Sequence, residues 1–159
     1  MTYNSLGLNT LKIKDLANDL NQLLANFQIY YQNLRGIHWN IKGKQFFDLH
    51  AKFEELYTDA NLKVDEIAER ILTLGETPLH TFQDYVTKAE VPIGKDVSQD
   101  DKAVGLIVDS LTALLKVERQ ILEKSGDAND EGTNSMMSDF ITEQEKTIWM
   151  MKAWLNETV

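Results

Sequence analysis

The amino-acid sequence predicts an all-α protein, a four-helix bundle whose second and third helices are joined by a long crossover that carries a short extra helix. The chain has only two prolines, Pro78 and Pro92, so long stretches on either side of them can be helical. Four of these stretches carry apolar residues at spacings of three and four, which is typical of helices with one buried face. The connection between the second and third stretches is roughly 25 residues long, too long for a simple helical hairpin.

The first two helices are expected to form one hairpin. The first runs from about Thr10 to Arg35, and Gly36 loosens its end. The second runs from about Gln45 to Leu74, with Gly75 as its C-cap. It has the clearest periodicity of the four.

The second hairpin follows the crossover. Within the crossover, Leu79–Ala89 could form the short extra helix. The third long helix is expected from about Asp100 to Lys124, with Gly126 as its stop, and the fourth from about Gly132 to Leu155. Two hairpins joined in this way let the second and third helices run in the same sense.

Composition indicates one domain, spanning residues 1–159. With 43% hydrophobic and 26% charged residues, the chain can bury a core without staples. It has no cysteine, so any metal must be held by nitrogen and oxygen ligands. The N-terminus lacks a signal-peptide pattern and no run approaches the roughly 20 apolar residues of a membrane span, so we expect a soluble, cytoplasmic protein that does not contact a membrane.

The charge pattern disfavours contact with nucleic acid. The formal net charge is -9, which repels phosphates unless basic residues cluster. Lys12 and Lys14 are the only basic residues among the first 34 positions, so the chain has no polybasic tail. The acidic balance instead favours attraction of cations.

One polar stripe is expected on the second helix. At about 100° per residue, His50 and Glu54 lie one turn apart on the same side, as do Asp65 and Glu69 further along. All four lie beside the apolar face that is expected to form the core. The simplest alternative is a solvated acidic face with ordinary histidines.

A single chain cannot close a metal site along this stripe. Glu54 and Asp65 are 11 residues apart, or about 16 Å along the helix, whereas metal–ligand bonds reach about 2 Å. The stripe is symmetric, however, since the pairs His50/Glu69 and Glu54/Asp65 share one midpoint, between residues 59 and 60. Two copies packed antiparallel about a two-fold axis would therefore form two identical intersubunit sites.

The ligands of each site would be mixed. His50, joined by His38, would supply imidazole, and Glu54, Asp65 and Glu69 would supply carboxylates. Such a set suits ferrous iron, one or two ions per site, and also accommodates zinc, manganese or cobalt.

The segment from His38 to Gly75 resembles the ferroxidase segment of the Dps (DNA-binding protein from starved cells) mini-ferritins. The resemblance is carried by His38-Trp39, by the run Phe46-Phe47-x-Leu49-His50, and by Asp65-Glu66-Ile67-Ala68-Glu69-Arg70. It implies that His38, His50 and Glu54 act with Asp65 and Glu69 of a two-fold mate. It also implies a ferritin-like bundle.

The same resemblance implies an activity and an assembly. The protein would oxidise ferrous iron with hydrogen peroxide, store the ferric product inside a dodecameric cage of identical subunits, and so protect against oxidative stress. Trp39, beside His38, would lie close enough to iron to quench radicals, or else would be an aromatic packing anchor. The acidic residues Asp127, Asp130 and Glu131 would line a pore for iron entry, or else would form a solvated helix start.

Two departures from the family pattern qualify these implications. The family commonly has aspartate where this chain has Glu54, and members that condense DNA often carry a lysine-rich extension that is absent here. We therefore expect retained iron handling and weak or absent DNA binding.

Three alternatives stay open at this point. A ferritin or di-iron oxidase with its site inside the bundle would carry Glu-x-x-His pairs, and the sequence has none. A non-enzymatic nucleoid-associated or structural protein could keep the fold without ferroxidase activity. A plain helical interaction module would need the polar stripe to be coincidental.

Overall fold

A computed structural model of the protein describes residues 2–159, which form five helices. They are α1 (Thr10–Asn40), α2 (Phe46–Thr73), α3 (Phe82–Lys88), α4 (Asp100–Asp127) and α5 (Glu131–Trp154). Helices α1, α2, α4 and α5 make the bundle, and α3 lies within the crossover. The all-α, ferritin-like prediction is therefore confirmed.

The bundle is built from two hairpins around one core. Helix α1 packs against α2 and α4, α4 packs against α5, and α3 rests on α1. The largest fully buried side chains come mainly from the apolar faces that the periodicity predicts; they include Leu16, Leu20, Phe27, Phe53, Ile67, Ile71 and Ile107. Burial of each such side chain contributes about 1.5–3 kcal/mol, which makes the core the main source of stability.

The predicted ends of two helices are wrong. Helix α1 continues past Gly36 to Asn40, because Ile37 and His38 are buried and extend its core face. Helix α4 continues through Gly126, and the left-handed residue that ends it is Asn129, with φ +58°. The Asn129 N–H donates to the carbonyl of Gly126 at 3.0 Å.

The predicted glycine at the end of α2 has the expected role. Gly75 follows the last turn with φ +90°. Its N–H donates to the carbonyl of Leu72 at 2.9 Å, and the N–H of Glu76 donates to that of Ile71 at 3.1 Å. This pair of bonds is a Schellman motif, which favours glycine at the left-handed position.

Three asparagines on α1 hold the crossover against the bundle. Asn21 accepts from the N–H of Leu79, Asn26 accepts from that of Glu90, and Asn33 accepts from that of Gly94, at distances of 2.8, 2.7 and 2.9 Å. Asn21 and Asn33 also donate to crossover carbonyls. The backbone of the long connection is thus fixed by hydrogen bonds to side chains of one helix.

Gly94 marks the tightest approach of the crossover to the bundle. A Cβ atom at this position would lie 2.3 Å from Cδ2 of Leu106 on α4. A larger residue here would require the Leu106 side chain to move or the crossover to shift. Among residues 2–159, no helix is long and apolar enough to cross a membrane.

Candidate metal centre

Two histidines come together where the end of α1 meets the start of α2. His38 lies in the last turn of α1 and is buried, and His50 lies in the second turn of α2 and is partly buried. Their rings stack with centroids 3.8 Å apart and planes 11° apart. The sequence predicted both as ligands but not this stacked arrangement.

The hydrogen bonds of the pair are reciprocal. Nδ1 of His38 lies 2.7 Å from the carbonyl oxygen of His50, and Nδ1 of His50 lies 2.7 Å from the carbonyl oxygen of His38. A carbonyl only accepts, so each Nδ1 carries the proton and donates it. In a neutral ring with this tautomer, Nε2 carries the lone pair that a metal ligand requires, and the hydrogen bond of Nδ1 fixes the ring orientation.

Aromatic rings hold the histidine pair on either side. Phe46 stacks on His50 with centroids 4.9 Å apart, and Tyr57 contacts His38 edge-on at 5.3 Å. The aromatic run of the sequence contained Phe46, and its position one helical turn before His50 is the signal that could have shown this contact.

Arg35 organises the outer side of the site and was missed by the sequence reasoning. Its guanidinium lies 4.8 Å from the ring centroid of Trp39 and 5.9 Å from that of Tyr57. It also donates to the hydroxyl of Tyr31 at 3.1 Å. Residues 31, 35 and 39 are spaced one helical turn apart, which is the signal that could have shown their contact. Trp39 is 57% exposed.

The three carboxylates of the predicted site are all exposed. Glu54 accepts a long hydrogen bond, 3.4 Å, from the hydroxyl of Tyr57, and the pKa of Tyr57 is raised by desolvation and by this carboxylate. Asp65 and Glu69 make no side-chain hydrogen bond or ion pair within residues 2–159. These acids therefore have lone pairs available to a cation.

Within the part of the chain that the structure describes, no three histidine or acidic side chains lie close enough to hold a metal ion. The polar stripe on α2 is consistent with this, because Glu54 lies far along the helix from Asp65 and Glu69.

Comparisons with known proteins point to one family. A ferritin-like domain model matches residues 17–159. An uncharacterized protein from Haemophilus influenzae is 48% identical over 96% of each chain, and a DNA protection during starvation protein from Porphyromonas gingivalis is 40% identical over 93% of each chain. A crystal structure of a Dps protein from Vibrio cholerae O1, described as a member of a broad superfamily of ferritin-like diiron-carboxylate proteins, superposes with a TM-score of 0.95 at 52% identity, covering 98% of each chain.

The chain belongs to the Dps family of mini-ferritins. Family membership supports iron storage and iron oxidation as the general activity, and self-association as the general state.

The three acidic residues predicted for a pore in this Dps chain lie in two different environments. Asp127 and Glu131 are exposed, but Asp130 is only 2% exposed. Asp130 accepts from the backbone N–H of Thr133 as the N-cap of α5, and it pairs with Arg70 of α2. Asp130 therefore joins α5 to α2, and only the other two acids present their side chains to solvent.

Proposed function

We propose that this Dps chain is a ferroxidase subunit that oxidises ferrous iron at sites shared between two antiparallel copies, and that the cage stores the ferric product. His38, His50 and Glu54 of one copy would act with Asp65 and Glu69 of the other. The observation that carries the proposal is the reciprocal hydrogen bonding of the two histidines, which leaves both Nε2 atoms free. Metal-ligating histidines are oriented in this way, by a hydrogen bond from the ring nitrogen that does not bind the metal.

The exposed face of α2 supports the antiparallel arrangement. Phe47 and Leu72 flank the polar stripe on the same side of the helix and are 83% and 59% exposed. Their midpoint along α2 is the same as that of the His50/Glu69 pair. A two-fold axis at that point would place Phe47 of one copy against Leu72 of the other, covering two apolar side chains that are otherwise in water.

The chemistry follows from the ligand set. Imidazole and carboxylate hold ferrous iron with open coordination positions, and the carboxylates stabilise the added charge of ferric iron. With hydrogen peroxide as oxidant, two ferrous ions each lose one electron, the O–O bond breaks, and two protons complete two molecules of water. Because each peroxide molecule accepts both electrons, one from each ferrous ion, this route yields no hydroxyl radical, and Trp39 would intercept any single-electron oxidant that escapes.

The remaining parts of the proposal concern assembly and partners. We infer a dodecameric cage, with Asp127 and Glu131 at the pores by which iron enters. Zinc, cobalt or manganese would compete for the same nitrogen and oxygen ligands. Direct DNA binding would be weak or absent, since the net charge is -9 and basic residues do not cluster near the N-terminus.

The test is a complementation between two inactive variants. His50→Ala and Asp65→Ala chains are each purified, assayed with ferrous iron and peroxide by ferric absorbance, then unfolded together and reassembled. Each variant alone should be inactive, since every site has lost a ligand. In a mixed dimer one site has lost both ligands and the other is intact, so random reassembly should restore about a quarter of the wild-type sites.

The matched control is Glu66→Gln, an exposed acid on α2 outside the stripe, which should keep the wild-type rate. Recovery of activity in the mixture establishes that the site is shared. Inactive single variants with no recovery place the site within one chain, and wild-type rates in both variants remove the ferroxidase proposal altogether.

A further inference from the structure

A buried carboxyl group lies inside the bundle, away from the candidate metal centre. Glu118 of α4 is 0% exposed. Its Oε1 accepts a hydrogen bond of 2.7 Å from Nε2 of Gln144 on α5, which is 5% exposed. Within residues 2–159, neither Oε2 of Glu118 nor Oε1 of Gln144 has a hydrogen-bond partner.

Other polar groups around Glu118 come from the remaining helices of the bundle. Tyr30 of α1 and Lys63 of α2 line a cavity of about 270 Å³ together with Gln144. The ammonium of Lys63 is held by Asp59 and Glu143 at 2.6 and 2.7 Å, so its charge is shared with two carboxylates already.

The charged residue next to Glu118 on its own helix does not neutralise it either. Arg119 faces outward and pairs with Glu145 at 3.1 Å. Glu118 therefore has charged neighbours at a distance but no cation in contact.

The two unpartnered atoms, Oε2 of Glu118 and Oε1 of Gln144, both lack a hydrogen-bond donor. If Oε2 of Glu118 carries a proton, it can donate to Oε1 of Gln144 while Nε2 of Gln144 donates to Oε1 of Glu118. A carboxylic acid and a primary amide then form a closed pair of hydrogen bonds, and one proton satisfies both atoms.

We propose that Glu118 and Gln144 form a buried proton-binding site, in which the proton on Glu118 is shared with the amide oxygen of Gln144 and joins α4 to α5. The proton neutralises the carboxylate of Glu118. Burial of a neutral, hydrogen-bonded pair costs less free energy than burial of a full charge. A divalent cation at the same oxygens would meet the positive charge of Lys63.

The electrostatics agree with this geometry. Desolvation raises the pKa of Glu118 to about 7, against the lowering effects of Gln144, Lys63 and Arg119. In the unfolded chain the carboxyl returns to its ordinary pKa of about 4.5. Between these two values the folded state binds the proton and the unfolded state does not, so stability falls as pH rises through this window and levels off above it.

The experiment uses the whole assembled protein and Glu118→Gln. A glutamine at this position makes the same two hydrogen bonds without a proton, so it imitates the protonated acid at every pH. We expect the thermal midpoint of the wild type to fall relative to this variant by on the order of 10 °C between pH 5 and pH 8. The three histidines are present in both proteins and cancel in the difference.

Glu123→Gln, an exposed acid on the same helix, is the matched control and should follow the wild type at every pH. Infrared spectroscopy on the wild type alone gives an independent readout, a protonated-carboxyl band at pH 6 that disappears by pH 9. The proposal is overturned if that band is absent, if Glu118→Gln keeps the wild-type pH profile, or if cobalt binds at a site that only Glu118→Gln removes.

Discussion

The two ends of α2 hold their functional residues in opposite ways. At the N-terminal end, His50 is fixed by a hydrogen bond to His38 and by stacking between His38 and Phe46. At the C-terminal end, Asp65 and Glu69 are exposed and extend without side-chain partners in the described chain. The helix itself is anchored there by Arg70, which binds Thr133 and Asp130 of the α5 terminus.

The difference shows where the site is preorganised. An imidazole must present one nitrogen in one direction, so its ring has to be held before the metal arrives. A carboxylate can bind through either oxygen, so a flexible side chain on a rigid helix is sufficient. In the proposed shared site, one copy would therefore supply a rigid pair of ligands and the other an adaptable pair.

The largest expected effect is the loss of the anchor at the C-terminal end. Asp130→Ala should destabilise the fold by about 3 kcal/mol or more, because it removes the N-cap of α5 and leaves the Arg70 guanidinium without its carboxylate. Chemical denaturation measures this. The exposed neighbour is the control, and Glu131→Ala should change stability by about 1 kcal/mol or less. Equal losses in the two variants would show that the buried pair has no special role.

Removing one histidine of the rigid end should have a smaller effect on stability. In His38→Phe a ring still stacks on His50, but one hydrogen bond and one ligand nitrogen are lost. We expect a cost of about 1 kcal/mol in stability and at least about a tenfold loss of cobalt affinity, measured by titration of the cobalt absorbance. His80→Phe, at an exposed histidine of the crossover, should leave affinity unchanged. An unchanged affinity in His38→Phe contradicts the assignment of this ligand.

The smallest effect is expected at Glu54, whose side chain is exposed. Glu54→Asp shortens the ligand and breaks a hydrogen bond that is already long, so stability should change by about 0.5 kcal/mol or less. The initial rate of iron oxidation should stay within roughly a factor of two, because a change of about 0.5 kcal/mol in activation free energy alters a rate by about that factor. Glu55→Asp is the control beside it. If Glu54→Asp instead lost as much cobalt affinity as His38→Phe, the length of the Glu54 side chain would be essential.

Much of the fold could be predicted from the sequence because the apolar periodicity of each long helix is unbroken. The ends were less predictable. Gly36 has no steric or hydrogen-bonding reason to stop α1 while the next residues still have a core to cover, and Asn129 takes the left-handed position that a glycine at 126 was expected to serve. Local signals mark a helix end only when the core face ends with them.

For the candidate site, the sequence predicted which residues share one face of α2 but not how the two histidines pack. Spacing alone places Asp65 and Glu69 on one face with His50. The stacking of His38 on His50 depends on how the end of α1 crosses the start of α2, a tertiary relation that no single-helix period contains. The same applies to Glu118, where the sequence shows an acid on α4 and only the packed bundle shows Gln144 facing it.

The asparagines of α1 have a consequence for how this surface can change. Asn21, Asn26 and Asn33 bind main-chain atoms of the crossover, and every residue except proline presents the same main-chain groups. The outward side chains of that segment, Phe82 and Ile93 among them, are exposed and take no part in these hydrogen bonds. Substitutions can therefore change the outer surface of the crossover while the path of its backbone stays constant. New contacts between subunits can evolve on this surface without loss of stability in the bundle.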